Sequence, residues 1–320
     1  MPKQNTAACS TKKTSIGGQA LIEGVMMRGP HKTAMAVRHV SGNIVTEEWE
    51  SELSNRPRFW KIPFFRGLYG MVDSLRCGYK ALMRSAELAG LEESEEKPAS
   101  AFENALMSVM MVLSTVVGVA LALGLFMYLP SLLYKLLAGA LDNAFHTEFW
   151  QESAVMRGIF EGIIRLILFL LYLVVITLMK DIRRVFMYHG AEHKTIFCYE
   201  NGEELTVENV RRQSRFHPRC GTSFLAMTLL IGIVISICIQ IKTVWLRVLV
   251  KIALLPLTVG IGYEFIKLAG RKNNRFVRIL SAPGLWIQRL TTREPDDDMI
   301  ECAIMAFLPV IPDDPKADEW

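Results

Sequence analysis

Apolar positions gather in long stretches separated by polar ones, and the longest stretch governs how the chain is read. From Asn104 to Tyr134 there is no Asp, Glu, Lys or Arg over 31 residues, more than the roughly 20 that cross a bilayer as a helix. It predicts a first membrane helix at about 105–129, ended by Pro130. A second is expected at about 158–179, with Glu161 and Arg165 near its start, and a third in the 22-residue gap between Arg219 and Lys242. The fourth, about 245–266, is charge-free only from Ile252 to Tyr263, so Arg247 and Lys251 must snorkel toward its outer end. A re-entrant or interfacial segment is the competing reading there.

The polar stretches show other periods. Thr33 to Val40, then Ser41-Gly42-Asn43, then Ile44 to Trp49 predicts a β-hairpin with a glycine turn. Glu23 lies in an otherwise apolar, strand-like run, with Arg28 or a metal as partner, or it is an ordinary edge-strand carboxylate. Residues 64–86 predict an amphipathic helix, with Phe65, Leu68, Val72, Leu75, Tyr79 and Leu82 at helical spacing and basic residues between them. Such a helix lies on the inner leaflet or packs on its own domain. Glu92 to Pro98 reads as an acidic linker. Ser281-Ala282-Pro283 opens a short helix with Trp286 and Arg289 suited to a membrane interface, and Asp296 to Asp298 precede an apolar run as at a helix N-terminus.

Lys and Arg orient the segments. The 104 residues before the first predicted span carry 14, the 130–157 loop 2, the 180–223 segment 8, the 242–247 turn 2 and the tail from Lys267 onward 8. Heavy and light segments alternate, which predicts four spans with both termini cytoplasmic. Composition agrees: 51% hydrophobic residues and 21% charged ones suit apolar segments alternating with polar domains. A net charge of +4 is too mild to point to nucleic acid. The six cysteines include no CxxC pair, and the N-terminus has no apolar core of a cleavable signal peptide. Thiols facing the cytosol are expected to stay reduced.

The sharpest chemistry is His189-Gly190-Ala191-Glu192-His193. On a helix His189 and His193 are i, i+4 and share a face, with Glu192 beside them. Two imidazoles one turn apart can share a divalent metal such as zinc, and a neighbouring carboxylate can act as general base. The spacing HxxEH is the inverzincin form of the zinc-peptidase motif. The alternative is structural, with histidines at an inner helix end favoured by the dipole. Three of the six histidines (189, 193 and 217) fall within 29 residues. His217, Cys220 or Glu264 is the candidate third ligand; Glu264 could instead pair with Lys267 or Arg271. Cys220 beside Arg219 could also be a thiolate nucleophile, and Arg219 or Arg28 could stabilise anionic charge. The glycine-punctuated stretch 17–29 is not a phosphate-binding P-loop.

The stretches GGQALIEGVMMRGP, YHGAEHKTIFCYENGEELTVENVRRQSRFHPRCGTSF and APGLWIQRLTTREPDDDMIECAI resemble the YqhQ-like family of bacterial membrane proteins, over about 15–308 of the chain. That family is a domain of unknown function, sometimes labelled a predicted metal-dependent enzyme. The resemblance implies a bacterial inner-membrane protein, and its motifs match at His189, Glu192, His193, His217, Arg219, Cys220 and Glu294.

The expected molecule is an α-helical polytopic membrane protein of about four transmembrane helices with a composite cytoplasmic α/β domain. Its segments are 1–104 (N-terminal cytoplasmic region), 105–179 (first helix pair), 180–223 (cytoplasmic loop), 224–266 (second pair) and 267–320 (cytoplasmic tail). The leading function is a metal-dependent hydrolase at the cytoplasmic face of the lipid bilayer. His189 and His193 hold the ion, Glu192 is the base, and the substrate is a peptide or lipid-linked headgroup. The alternatives are a non-catalytic scaffold or assembly factor for a partner protein, and a transporter using Glu161 and Arg165. Homo-oligomerisation would be needed for a transport pathway.

Overall fold

The computed structural model describes residues 13–51, 62–63, 65–91, 101–271, 275–314 and 316–319. The predicted linker Glu92–Pro98 lies outside them. The chain is mostly helical and divides into two compact units. One comprises 1–93, 175–226 and 263–320; the other comprises 94–174 and 227–262.

The first unit is built on a four-stranded antiparallel meander: β1 (Gly17–Leu21), β2 (Gly24–Arg28), β3 (Lys32–Arg38) and β4 (Ile44–Glu50). The expected hairpin is β3 and β4, with Val37 opposite Val45. Successive side chains of a strand face opposite sides. Val25, Met27, Ala34 and Ala36 meet a core made with α6 (Lys180–Glu200) and α12 (Asp297–Phe307), through Tyr188, Ala191, Ile300, Ala303 and Phe307. Leu21, Met26 and Met35 face the other way, toward Ala81 and Leu82 of α1 (Phe65–Leu88). Both faces are therefore covered, and β2 is buried almost throughout. The α1 helix is the amphipathic one expected. Glu23 is not in a strand: it occupies the turn between β1 and β2 at φ 50° and pairs with Arg184, while Arg28 pairs with Asp73 at 2.7 Å. The short helix expected to open at Ser281 is instead the second half of α11 (Arg275–Thr291), with Pro283 inside it. Asp296 to Asp298 do stand at the start of α12.

The second unit is apolar on its outside. Its helices are α2 (Ala101–Leu123), α3 (Leu129–Phe145), the short α4 (Phe149–Glu152), most of α5 (Ala154–Thr177), the larger part of α8 (Gly221–Cys238), α9 (Val244–Ala253) and the start of α10 (Leu255–Arg271). Among the described residues three helices are long and apolar enough to cross a membrane: Leu106–Phe145, Ala154–Thr177 and Gly221–Cys238. The pair α9 and α10, bent by 45°, would make a fourth if it is one span.

Two expectations fail here. Pro130 does not end the first apolar helix. A π-helical turn at Gly124–Tyr128 precedes it, and the helix runs on to Phe145. Proline lacks the N–H that would bond the carbonyl four residues back. That carbonyl, on Phe126, instead accepts from Arg165 Nε at 2.9 Å. Nor do Arg247 and Lys251 snorkel outward: both are buried, and both face Glu161, which pairs with Lys251 and not with Arg165.

Candidate metal centre

The α6 helix carries half-buried His189 and buried Glu192 and His193 on one face, with the imidazole centroids 4.4 Å apart. A glycine inside a helix costs about 1 kcal/mol against alanine, and Gly190 has a packing reason for its place. A Cβ there would overlap the carbonyl oxygen of Arg293, whose own N–H donates to Phe186 O at 2.8 Å. The chain leaving α11 can therefore lie directly against α6, which brings the Thr291 carbonyl to His189 Nδ1 at 2.9 Å. His193 Nδ1 bonds the Arg215 carbonyl at 2.6 Å. A carbonyl only accepts, so each Nδ1 carries hydrogen and each Nε2 is the nitrogen left for a further partner.

That partner stands between them. Cys220 Sγ is 3.2 Å from His189 Nε2. Its carbonyl accepts the first bonds of α8, from Ser223 at 3.0 Å and Phe224 at 3.3 Å, and its sulfur accepts Thr222 N–H at 3.4 Å. A thiolate is favoured at such a helix start. Ligand atoms of His189, His193 and Cys220 all lie within 4.8 Å of one another. Two imidazoles and a thiol form a donor set suited to a transition metal or zinc. Burial alone would raise the Cys220 thiol, but His189, and after it His193, hold it well below its ordinary value. Burial would likewise lower His189, yet the neighbouring Cys220 raises it to about 9. Glu192 sits one position before His193, nearly buried, receiving Gly18 N–H, with Oε2 lacking any hydrogen-bond partner. Burial raises its carboxyl. Gly18 allows this approach, because a Cβ would stand 3.0 Å from Glu192 Cγ.

The other expected residues are placed differently. His217 stacks near His193, 5.5 Å between ring centroids, but its Nε2 faces Arg219 at 3.3 Å and Glu200 at 3.8 Å. Burial first, then Arg219, lowers His217 to about 4. Arg219 is committed to buried Glu200. Burial would raise Glu200, whereas His217 and Arg219 hold it below the usual carboxylate range. Glu264 lies outside the cluster and pairs with Arg66, whose Nε is 2.7 Å from Oε1. Glu294 pairs with Lys194 at 2.8 Å and Arg215 at 3.2 Å.

Three supporting residues escaped the sequence reading. Gln288, fully buried, clamps the loop before Cys220: it accepts His217 N–H at 2.8 Å and donates to His217 O at 2.7 Å and Ser223 Oγ at 3.0 Å. Thr291 and Arg215 supply the carbonyls that fix the imidazoles. The available signal was the helical spacing of Gln288 and Thr291, i and i+3 at the end of α11.

Residues 62–313 match the family model described as Protein of unknown function (DUF1385). The chain belongs to this family. It is also similar to "Uncharacterized protein YqhQ" of Bacillus subtilis (strain 168), 36% identical over 298 residues, 92% of this chain and 91% of the relative. No solved structure matches the chain.

Proposed function

We propose that this family member is a multi-pass protein of the bacterial inner membrane, with both termini cytoplasmic, that acts as a metal-dependent hydrolase at the cytoplasmic face. The observation that carries the metal reading is the pairing of both Nδ1 atoms with backbone carbonyls, while both imidazoles converge with Cys220. Such outer partners fix the tautomer and direct Nε2 at an ion. Zinc fits two imidazoles and a thiolate, with a fourth position open to water or substrate. The ion would supply Lewis acidity toward a carbonyl or phosphoryl oxygen. Glu192, with Oε2 unpartnered beside both imidazoles, would hold and pass the proton. The substrate class is a membrane-adjacent peptide or a lipid-linked headgroup. The membrane assignment rests on the apolar helices and on the Lys and Arg distribution.

Elemental analysis of the detergent-purified full chain tests the site. Near-stoichiometric zinc, iron or manganese is expected in the wild type, and none in a folded His189→Ala/His193→Ala variant. If the wild type stays metal-free even after metal is offered, the hydrolase reading fails.

One observation favours a second reading. Cys220 Sγ contacts His189 Nε2, and Thr291 orients that imidazole, which is the nucleophile–base–orienter order of a cysteine enzyme. Metal-free protein whose Cys220 is alkylated at pH 6 much faster than Cys302 would support it.

A further inference from the structure

The second unit holds a set of charges that neither the metal site nor the cysteine reading uses. Arg157 and Glu161 on α5 and Arg247 and Lys251 on α9 are all buried, at 4%, 0%, 2% and 7% exposure. Half-buried Arg165 lies one turn beyond Glu161 on α5. Four cations and one carboxylate thus share α5 and α9, an excess of three positive charges in this group, with Arg247 and Lys251 facing Glu161 directly. Glu161 is engaged through Oε2, by Lys251 and by Ser236 Oγ at 3.3 Å, while Oε1 has no hydrogen-bond partner and stands 3.6 Å from Arg247 Nε. The other buried carboxylate of this unit, Asp142, accepts Thr147 Oγ1 at 2.9 Å and the N–H groups of Trp150 at 3.0 Å and Gln151 at 2.9 Å. It offers nothing to the cations.

The guanidiniums are under-used. Arg157 Nη2 donates to Ile239 O at 2.8 Å and Arg165 Nε to Phe126 O at 2.9 Å. Arg157 Nε, Arg165 Nη2 and Arg247 Nε are buried without a hydrogen-bond partner. Buried charge persists when paired, and an uncompensated buried cation is costly. Arginine in particular presents forked donors that fit an oxyanion.

We propose that Arg157, Arg165, Arg247 and Lys251 form a binding site for a phosphate-class oxyanion, with Glu161 anchoring Lys251 and Arg247 on its rim. A phosphate group fits better than a carboxylate because its additional acceptor oxygens can meet several forked donors at once. The anion is either free phosphate or the phosphodiester of a lipid headgroup. The site stands independently of the His189–Cys220 cluster, and its test reads no hydrolase activity.

The probes are inorganic phosphate and dioleoylphosphatidylglycerol, added to delipidated full-length protein in detergent, with chloride at equal ionic strength as control. Thermal shift and native mass spectrometry read binding. A saturable shift with phosphate identifies the free anion. One lipid retained per chain, without a phosphate shift, identifies the headgroup. Either result is expected to weaken by about tenfold or more in Arg247→Gln and in Arg157→Gln, the loss of one charged donor pair. Glu161→Gln keeps an acceptor for Lys251 and removes the competing negative charge, so it is expected to bind several-fold more tightly. If an arginine variant fails to fold, Glu161→Gln and the wild type still decide. Absence of saturable one-to-one binding of either probe to the wild type overturns the proposal, as does weaker binding by a folded Glu161→Gln.

Discussion

Gln288→Met isolates the clamp that holds the Cys220 loop. Methionine keeps the length and most of the volume of glutamine, so the change removes hydrogen bonds with little cavity. Gln288 is wholly buried and joins the N–H and the carbonyl of His217, itself 4% exposed. The His217 carbonyl keeps the Cys220 N–H at 3.4 Å, so one buried group, the His217 N–H, is left unsatisfied, at a cost of about 1–3 kcal/mol. In a unit of this size 1 kcal/mol moves Tm by about 2–4 °C, and the expected fall is about 2–12 °C. Thermal unfolding in detergent with a thiol-reactive dye reads it, since Cys198 and Cys302 are free and buried until the first unit opens. Cys220 lies three residues beyond His217, so bound metal should be lost from the folded variant as well. A Gln288→Met protein that melts within about 1 °C of wild type and keeps its metal would refute the clamp.

Other positions give simpler tests. Glu264→Gln breaks a pair with Arg66 that is partly solvent-exposed, 33% and 23%; such pairs are worth about 0–1 kcal/mol, so Tm should shift by no more than about 4 °C and metal content should be unchanged. Metal loss in that variant would return Glu264 to the ligand set. Cys302 is raised to about 12 by burial, and Cys198 to about 11. Both stay protonated thiols at pH 8, so native-state alkylation by iodoacetamide should be negligible there and rise only as pH approaches those values or on unfolding; mass spectrometry of labelled peptides checks it. Gly162 lies against Ile233 of α8, and Gly162→Leu should destabilise by about 1–3 kcal/mol or more through overpacking, whereas Gly139→Ala, inside α3 with open space around it, should stabilise by up to about 1 kcal/mol in the same melt.

Elements that depend on one period were legible. The hairpin of β3 and β4, the helix α1 and the apolar helices follow from alternation, from the 3.6-residue repeat and from length. Misreadings arose where a local rule met a tertiary partner. Pro130 usually stops a helix because it leaves a carbonyl unbonded, but Arg165 supplies the missing donor to Phe126. Arg247 and Lys251 usually snorkel, but Glu161 gives them a reason to turn inward. Glu23 lay between apolar neighbours that look like a strand, and only pairing of Leu21 with Gly24 reveals the turn.

The same distinction explains the site. His189, Glu192 and His193 share one helix, so their common face could be read from spacing alone. Cys220 joins them through a separate segment, and three candidates of suitable chemistry competed for that place. Net charge and residue type do not separate them. What separates them is which polar partners each already has: His217 is held by Arg219 and Glu200, and Glu264 by Arg66, while Cys220 faces the histidines. Those partners lie far apart in sequence, and Gln288 and Thr291 fix the arrangement from α11. A buried glutamine in a helix with an exposed tryptophan two positions earlier has one wet face and one protein face. Its hydrogen bonds must therefore be found within the fold, and they are found on the loop that presents Cys220.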